Sequence, residues 1–139
     1  MSDPANDPPP HPAPPDKRSH KIVALASIVI LVPVVIFTLW TWVTLGYSYS
    51  SGERAGYVQK LSKKGWLCKT WEGELAMANL PGTMPEIFRF TVRNDSIAFL
   101  IDKVVGKRVS LSYEQHRGVP TSCFGETEYF VTRVRLVQP

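Results

Sequence analysis

The sequence predicts a single transmembrane α-helix followed by a small, mainly-β barrel. Two observations carry that class. Residues 22–45, IVALASIVILVPVVIFTLWTWVTL, contain no charged residue, and about 20 apolar residues suffice to cross the hydrocarbon core of a bilayer. Further along, the chain changes to short runs of alternating apolar and polar side chains separated by Gly, Pro and Asn/Asp clusters. That is the pattern of half-buried strands joined by turns. At 139 residues there is room for one ordinary domain beside the helix.

Residues 1–21 hold seven of the twelve prolines and no large apolar residue except Met1. Such a segment cannot bury enough apolar surface to offset its ordering entropy. It is expected to be a disordered, polyproline-II-like tail. The stretch PPPHPAPP contains P-x-x-P, a pattern read by SH3-like grooves, but the pattern is common and a solvated tail explains it as simply.

Residues 22–45 read as an uncleaved anchor. Pro33 sits mid-segment, a kink that membrane helices tolerate. Trp40 and Trp42, with Tyr47 and Tyr49 beyond them, gather at one end as an interfacial aromatic belt does. The apolar core is longer than that of a signal peptide, and TLGYSYSSG offers no small-residue cleavage site. Lys17, Arg18 and Lys21 flank the N-terminal side, whereas the first basic residue on the other side is Arg54. The positive-inside rule then keeps the N-terminus in the cytoplasm and sends the C-terminal domain across the membrane.

Residues 46–55 are expected to be a linker and 56–139 the barrel. GYVQKLS, the KKG turn and WLCKTWEGELAM read as a hairpin. ANLPGTMPE is a loop. IFRFTVR alternates, with Phe88, Phe90 and Val92 on one face and Arg89, Thr91 and Arg93 on the other. NDSIAFLIDKVVG carries the one helix signal: Asn94 or Asp95 as N-cap, Gly106 as stop, and Ile97, Leu100, Ile101 and Val104 as an apolar stripe. KRVSLSYE turns Val109, Leu111 and Tyr113 inward, and EYFVTRVRLV closes the chain with Phe130, Val134 and Leu136 inward.

Three strands, a helix and two strands resemble the OB-fold, a five-stranded Greek-key barrel. GYVQKLSKKGWLCKTWEGEL and KRVSLSYEQHRGVPTSCFGETEYFVTRV are further similar to an uncharacterised bacterial family of short single-pass membrane proteins. The shared pattern, K-x-S-x-K-G-x-x-C-K-T-x-E-G-E-L, is matched here by Lys60, Ser62, Lys64, Gly65, Cys68, Lys69, Thr70, Glu72, Gly73, Glu74 and Leu75. The resemblance spans the anchor and the outer domain but not the tail. It implies a bacterial inner membrane protein with a periplasmic C-terminal domain. Some members carry the label 6-phosphogluconate dehydrogenase, which these residues do not support. No strand leads through G-x-G-x-x-G into a helix, and Gly52 and Gly56 in SGERAG are too sparse to cradle a dinucleotide.

Cys68 and Cys123 are the only cysteines. In a domain outside the cytoplasm a disulfide between them is the first expectation, and buried thiols are the second. Two cysteines without a histidine at ligand spacing make a poor metal site. Glu72 and Glu74 share one strand face, as paired acid–base carboxylates can. Outward basic residues nearby make a solvated, salt-bridged face the simpler use. His116 is expected on a surface loop, without a nucleophile partner. No catalytic residue, cofactor or metal is therefore expected.

The domain carries 13 Lys and Arg against 9 Asp and Glu, the whole excess of +4. The expected function is a membrane-anchored, non-enzymatic interaction module with a protein partner in the membrane or envelope. The alternative is an OB-like domain that binds a glycan or other anionic polymer through Lys63, Lys64, Trp66, Arg89, Arg93 and Arg117. Nucleic acid is not expected as a partner, because it is rare outside the membrane and an excess of four charges is modest.

Overall fold

The computed structural model describes residues 17–77 and 81–138. The expected tail, residues 1–21, lies mostly outside them, and Lys17–Lys21 are helical. The chain divides into two units, Met1–Thr38 and Leu39–Pro139.

Helix α1, Lys17–Gly46, runs from the first unit into the second. Its stretch His20–Gly46 is long and apolar enough to cross a membrane by length and composition. At about 1.5 Å per residue, its 27 residues extend well beyond a hydrocarbon core about 30 Å thick. The side chains from Ile22 to Trp40 are exposed all round the helix, unlike the one-sided burial of an amphipathic helix.

The second unit is a closed barrel in the order β1-β2-β3-β5-β4. Its strands are β1 Ser50–Lys64, β2 Thr70–Met77, β3 Ile87–Val92, β4 Arg108–Gln115 and β5 Tyr129–Leu136, with α2, Asp95–Asp102, between β3 and β4. Closure depends on the length of β1. Its first half, Ser50–Tyr57, pairs antiparallel with β4. Its second half, Gly56–Lys64, pairs antiparallel with β2 through an irregularity between Val58 and Lys60. One strand thus belongs to both walls, as a bulge permits. Residues 50–55, expected to be a linker, are strand. The alternation there is masked because Ser, Gly and Glu occupy the positions that β4 covers.

The core comprises Val58, Leu75, Phe88, Phe90, Val92, Ala98, Ile101, Val109, Leu111 and Val131. The alternation of IFRFTVR and VSL in the sequence is reproduced here, each buried aromatic or aliphatic side chain contributing about 1.5–3 kcal/mol. Helix α2 closes one end. The Asn94 side chain accepts a hydrogen bond from the Ser96 amide (2.9 Å), the N-cap that the sequence indicates. The chain returns at Gly106, whose amide donates to the Val58 carbonyl (2.8 Å).

Three details differ from expectation. The second strand starts at Thr70, because residues 66–69 form the hairpin tip. Ala98 and Ile101 are the buried residues of α2, while Leu100 is exposed. In β5, Val131 is buried and Leu136 exposed. A register shift between Ser112 and Tyr113 moves the inward set of its partner strand, a change no alternation pattern reveals.

Candidate functional site

The β1–β2 loop (residues 65–69) and the β4–β5 loop (residues 116–128) meet at one end of the barrel. Gly65 (φ +131°) makes the tight turn between β1 and the tip, and a Cβ there would overlap the Cys68 carbonyl. A disulfide joins Cys68 to Cys123, with their Cα atoms 4.9 Å apart. The expected pairing is therefore present, and neither sulfur is available as a nucleophile or metal ligand. Trp66, at the tip, is 99% exposed.

From Cys123 the β4–β5 loop runs across the outer face of β2 and β3. Glu72 and Thr91 point outward by alternation, yet they are only 6% and 0% exposed. Glu72 Oε1 accepts from the Thr70 hydroxyl (2.8 Å) and from the Glu126 amide (3.1 Å). Its Oε2 accepts from the Thr91 hydroxyl (2.7 Å). The Thr127 amide donates to Thr91 Oγ1 (3.2 Å). A Cβ on Gly125 would lie 2.8 Å from the Thr91 methyl and 2.9 Å from the Phe130 ring, so only glycine lets the loop approach this closely.

Glu72 and Glu74 are thus not a solvated pair. Glu74 is half-exposed opposite Arg89 (3.8 Å). Glu72 is the buried acceptor that holds the loop down, because burying a carboxylate requires hydrogen bonds to its oxygens. A carboxylate already occupied by two hydroxyls and an amide is a clamp. OB barrels commonly present the face of strands two and three, with these same two loops, to oligonucleotides and oligosaccharides. Here the barrel's own chain lies on that face at Glu72 and Thr91.

The candidate ligand residues are distributed as follows. Lys63 lies 3.6 Å from Asp95 and over the Trp71 ring. The Trp71 indole donates to Asp95 Oδ1 (2.7 Å). That hydrogen bond, with the Lys63 charge beside it, holds the Asp95 carboxyl below the usual carboxylate range. Lys64 pairs with Glu126 (3.9 Å), and Arg89 with Glu74. Arg93 stacks over Phe130 and Arg117 over Tyr49. Each of the five cations thus has a carboxylate or ring of this chain beside it, and Trp66 alone stands clear.

His116 is also corrected. It is 6% exposed rather than on the surface. Its Nδ1 lies 3.1 Å from the Thr44 carbonyl, which can only accept, so that nitrogen carries the proton. Its Nε2 lies 3.4 Å from Glu114, and the ring meets Phe130 edge-on. The residue is buried because the end of α1 covers it, a contact between residues 72 apart in sequence. Beside it, where β3 and β5 share the single pairing Thr91↔Phe130, an open cleft of about 680 Å³ is lined by Arg93, Asn94, Ile97, Glu114, His116 and Thr132, among others. Among the described residues, no three His, Cys, Asp or Glu side chains gather as a metal site.

A second set of cations lies outside the candidate ligand residues, although Arg133 and Arg135 were expected to face outward. Arg108 on β4 and Arg133 and Arg135 on β5 are exposed, and none has an acidic partner among the described residues. The signal was in the alternation, since Val109, Leu111 and Val134 face inward and leave these arginines outward. It carried no weight in sequence because pairing partners are not legible there.

Residues 47–139 match the model of the family described as Domain of unknown function (DUF8785), and the chain belongs to that family. No curated protein matches the chain. Among solved structures, it is similar to two crystal forms of Rim1, a mitochondrial single-stranded DNA binding protein from S. cerevisiae. One is 13% identical with a TM-score of 0.50, covering 66% of this chain and 97% of that one. The other is 15% identical with a TM-score of 0.50, covering 64% and 96%. The shared property is the fold, which confirms the OB-type barrel. It also overturns the exclusion of nucleic acid made from charge and location, because both of these solved structures are of a single-stranded DNA binding protein.

Proposed function

We propose that this member of the DUF8785 family is a membrane-tethered OB-fold binding module whose ligand is single-stranded nucleic acid, held outside the cytoplasm. One observation carries the choice of ligand: a closed five-stranded barrel with α2 between β3 and β4, shared with single-stranded DNA binding proteins. The excess of +4 supports it, because phosphate neutralisation supplies most of the affinity for a nucleic acid strand.

Two features support the placement. The uncharged helix provides the tether, and Lys17, Arg18 and Lys21 favour a cytoplasmic N-terminus. The Cys68–Cys123 disulfide suits an oxidising compartment. A protein partner in the envelope, and the bacterial inner membrane as the location, belong to the same proposal. Tethering matters physically: a barrel fixed to a surface meets a strand held there at a high effective concentration.

Two experiments test it. The full chain in zwitterionic detergent is titrated with fluorescent oligothymidine at low and physiological salt. Saturable binding that weakens steeply with salt is expected, and no binding at low salt overturns the ligand. Reporter fusions at both ends, with thiol labelling before and after reduction, test the placement. A cytoplasmic C-terminus overturns it.

A further inference from the structure

We propose that the ligand lies on the outer face of β1, β4 and β5 rather than on the β2–β3 face that OB barrels commonly use. The inference rests on the binding function proposed above and identifies the surface that performs it.

The first observation is exclusion. The β4–β5 loop covers Glu72 and Thr91 through three hydrogen bonds to its amides and side chains. The disulfide fixes its base to the β1–β2 loop. A strand entering that face would have to displace Glu126 and Thr127.

The second observation is what the opposite wall presents. Ala55 faces Ser110, and Ser110 faces Arg135, across three neighbouring strands. One step along, Glu53, Ser112 and Arg133 form the next row. At the end of the wall Tyr57 pairs with Arg108, and the Tyr57 ring is 48% exposed. The Glu53 carboxylate lies over Ser110 and Ser112, so the open part of this wall is its β5 side, with Arg133 and Arg135, and its end at Arg108 and Tyr57.

Arginine forks match phosphate oxygens bidentately, and an exposed aromatic ring offers a stacking platform for a base. Glu53 accepts from Ser112 (3.1 Å) and Ser110 (3.4 Å), which ties its carboxylate to the serines and leaves the strand the path past Arg133, Arg135 and Arg108. Three arginines without an acidic partner among the described residues, beside the exposed Tyr57 ring, favour a nucleic acid strand over a lipid headgroup, which needs no stacking ring.

The test uses the full chain in zwitterionic detergent and labelled oligothymidine of about 16 nucleotides, the upper site size of one OB-fold. The variant Arg108→Ala/Arg133→Ala/Arg135→Ala removes three phosphate contacts. With a single-strand slope of about −0.7 per contact, the salt dependence should become shallower by about 2, and affinity at 0.15 M salt should fall about 50-fold. Tyr57→Ala should cost about ten-fold at unchanged salt slope. Thermal melts of each variant establish that the barrel is intact. If wild type binds but Lys63→Ala/Lys64→Ala/Arg93→Ala removes binding and the β4–β5 variant does not, this surface is wrong while the ligand stands. If dextran sulfate competes as well per charge and Tyr57→Ala changes nothing, the strand assignment is overturned. Failure of wild type to bind oligothymidine at low salt overturns the function itself.

Discussion

Glu72 and Glu74 occupy i and i+2 of one strand and look interchangeable in sequence, yet their removal should differ several-fold in cost. In Glu72→Ala, the Thr70 hydroxyl is half-exposed and can turn to water. Thr91 retains Thr127, whose hydroxyl lies 2.9 Å away. The Glu126 amide loses the carboxylate that accepts from it. A charge-assisted hydrogen bond contributes about 1.5–3 kcal/mol, and a buried donor left unsatisfied costs about 1–3 kcal/mol. The variant should therefore lose about 2–4 kcal/mol. For a domain of this size each kcal/mol moves the Tm by about 4–8 °C, so a fall of roughly 10–25 °C is expected. Glu72→Gln keeps the shape and one acceptor oxygen and should lose about 1 kcal/mol. Glu74→Ala removes one exposed ion pair and should stay within about 0.5 kcal/mol. Thermal melts of the full chain in detergent, followed by tryptophan fluorescence, measure all three. Equal losses for Glu72→Ala and Glu74→Ala would refute the loop-clamp reasoning.

Reducing the disulfide, or Cys68→Ala/Cys123→Ala, releases a constraint across 55 residues. On the chain-entropy relation that is about 4 kcal/mol, visible as a large Tm loss on adding reductant; a shift of only a few degrees would count against it. Gly125→Ala should cost about 1–3 kcal/mol through contact with Thr91 and Phe130, measured by the same melts, and no change would mean the loop does not approach β3 so closely. Asp95 should titrate below an ordinary carboxylate in a carboxyl NMR titration, and Trp71→Phe should raise its pKa by removing the larger cause. Because the folded pKa is depressed, the stabilisation from this contact is present above the unfolded value and is lost as pH falls through the folded one. A Trp71→Phe titration identical to wild type would refute the assignment.

The barrel was legible because its signals are local. Alternation in IFRFTVR and VSL and the Asn94 cap each act within a few residues, and together they give the strand and helix order, although α2 ends at Asp102, before the expected stop at Gly106. The disulfide was legible from compartment logic and cysteine number. What escaped depends on contacts between distant segments. Burial of Glu72 requires the β4–β5 loop, 54 residues away at Glu126. Burial of His116 requires Thr44. The long β1, reaching back to Ser50, is defined by β4 rather than by its own Ser- and Gly-rich start. The candidate site suffered most, because a lysine or arginine in sequence carries no mark of whether it already has a partner. Lys63, Lys64 and Arg89 have carboxylates beside them in the fold, and Arg108, Arg133 and Arg135 have none among the described residues.

Hydrogen exchange of the full chain in detergent, with and without oligothymidine, examines the binding surface without any substitution. Protection concentrated in residues 51–57, 108–113 and 132–136, with the β4–β5 loop unchanged, is the predicted result. Protection confined to residues 65–74 and 121–128, or a loop that opens when the oligonucleotide binds, would contradict it.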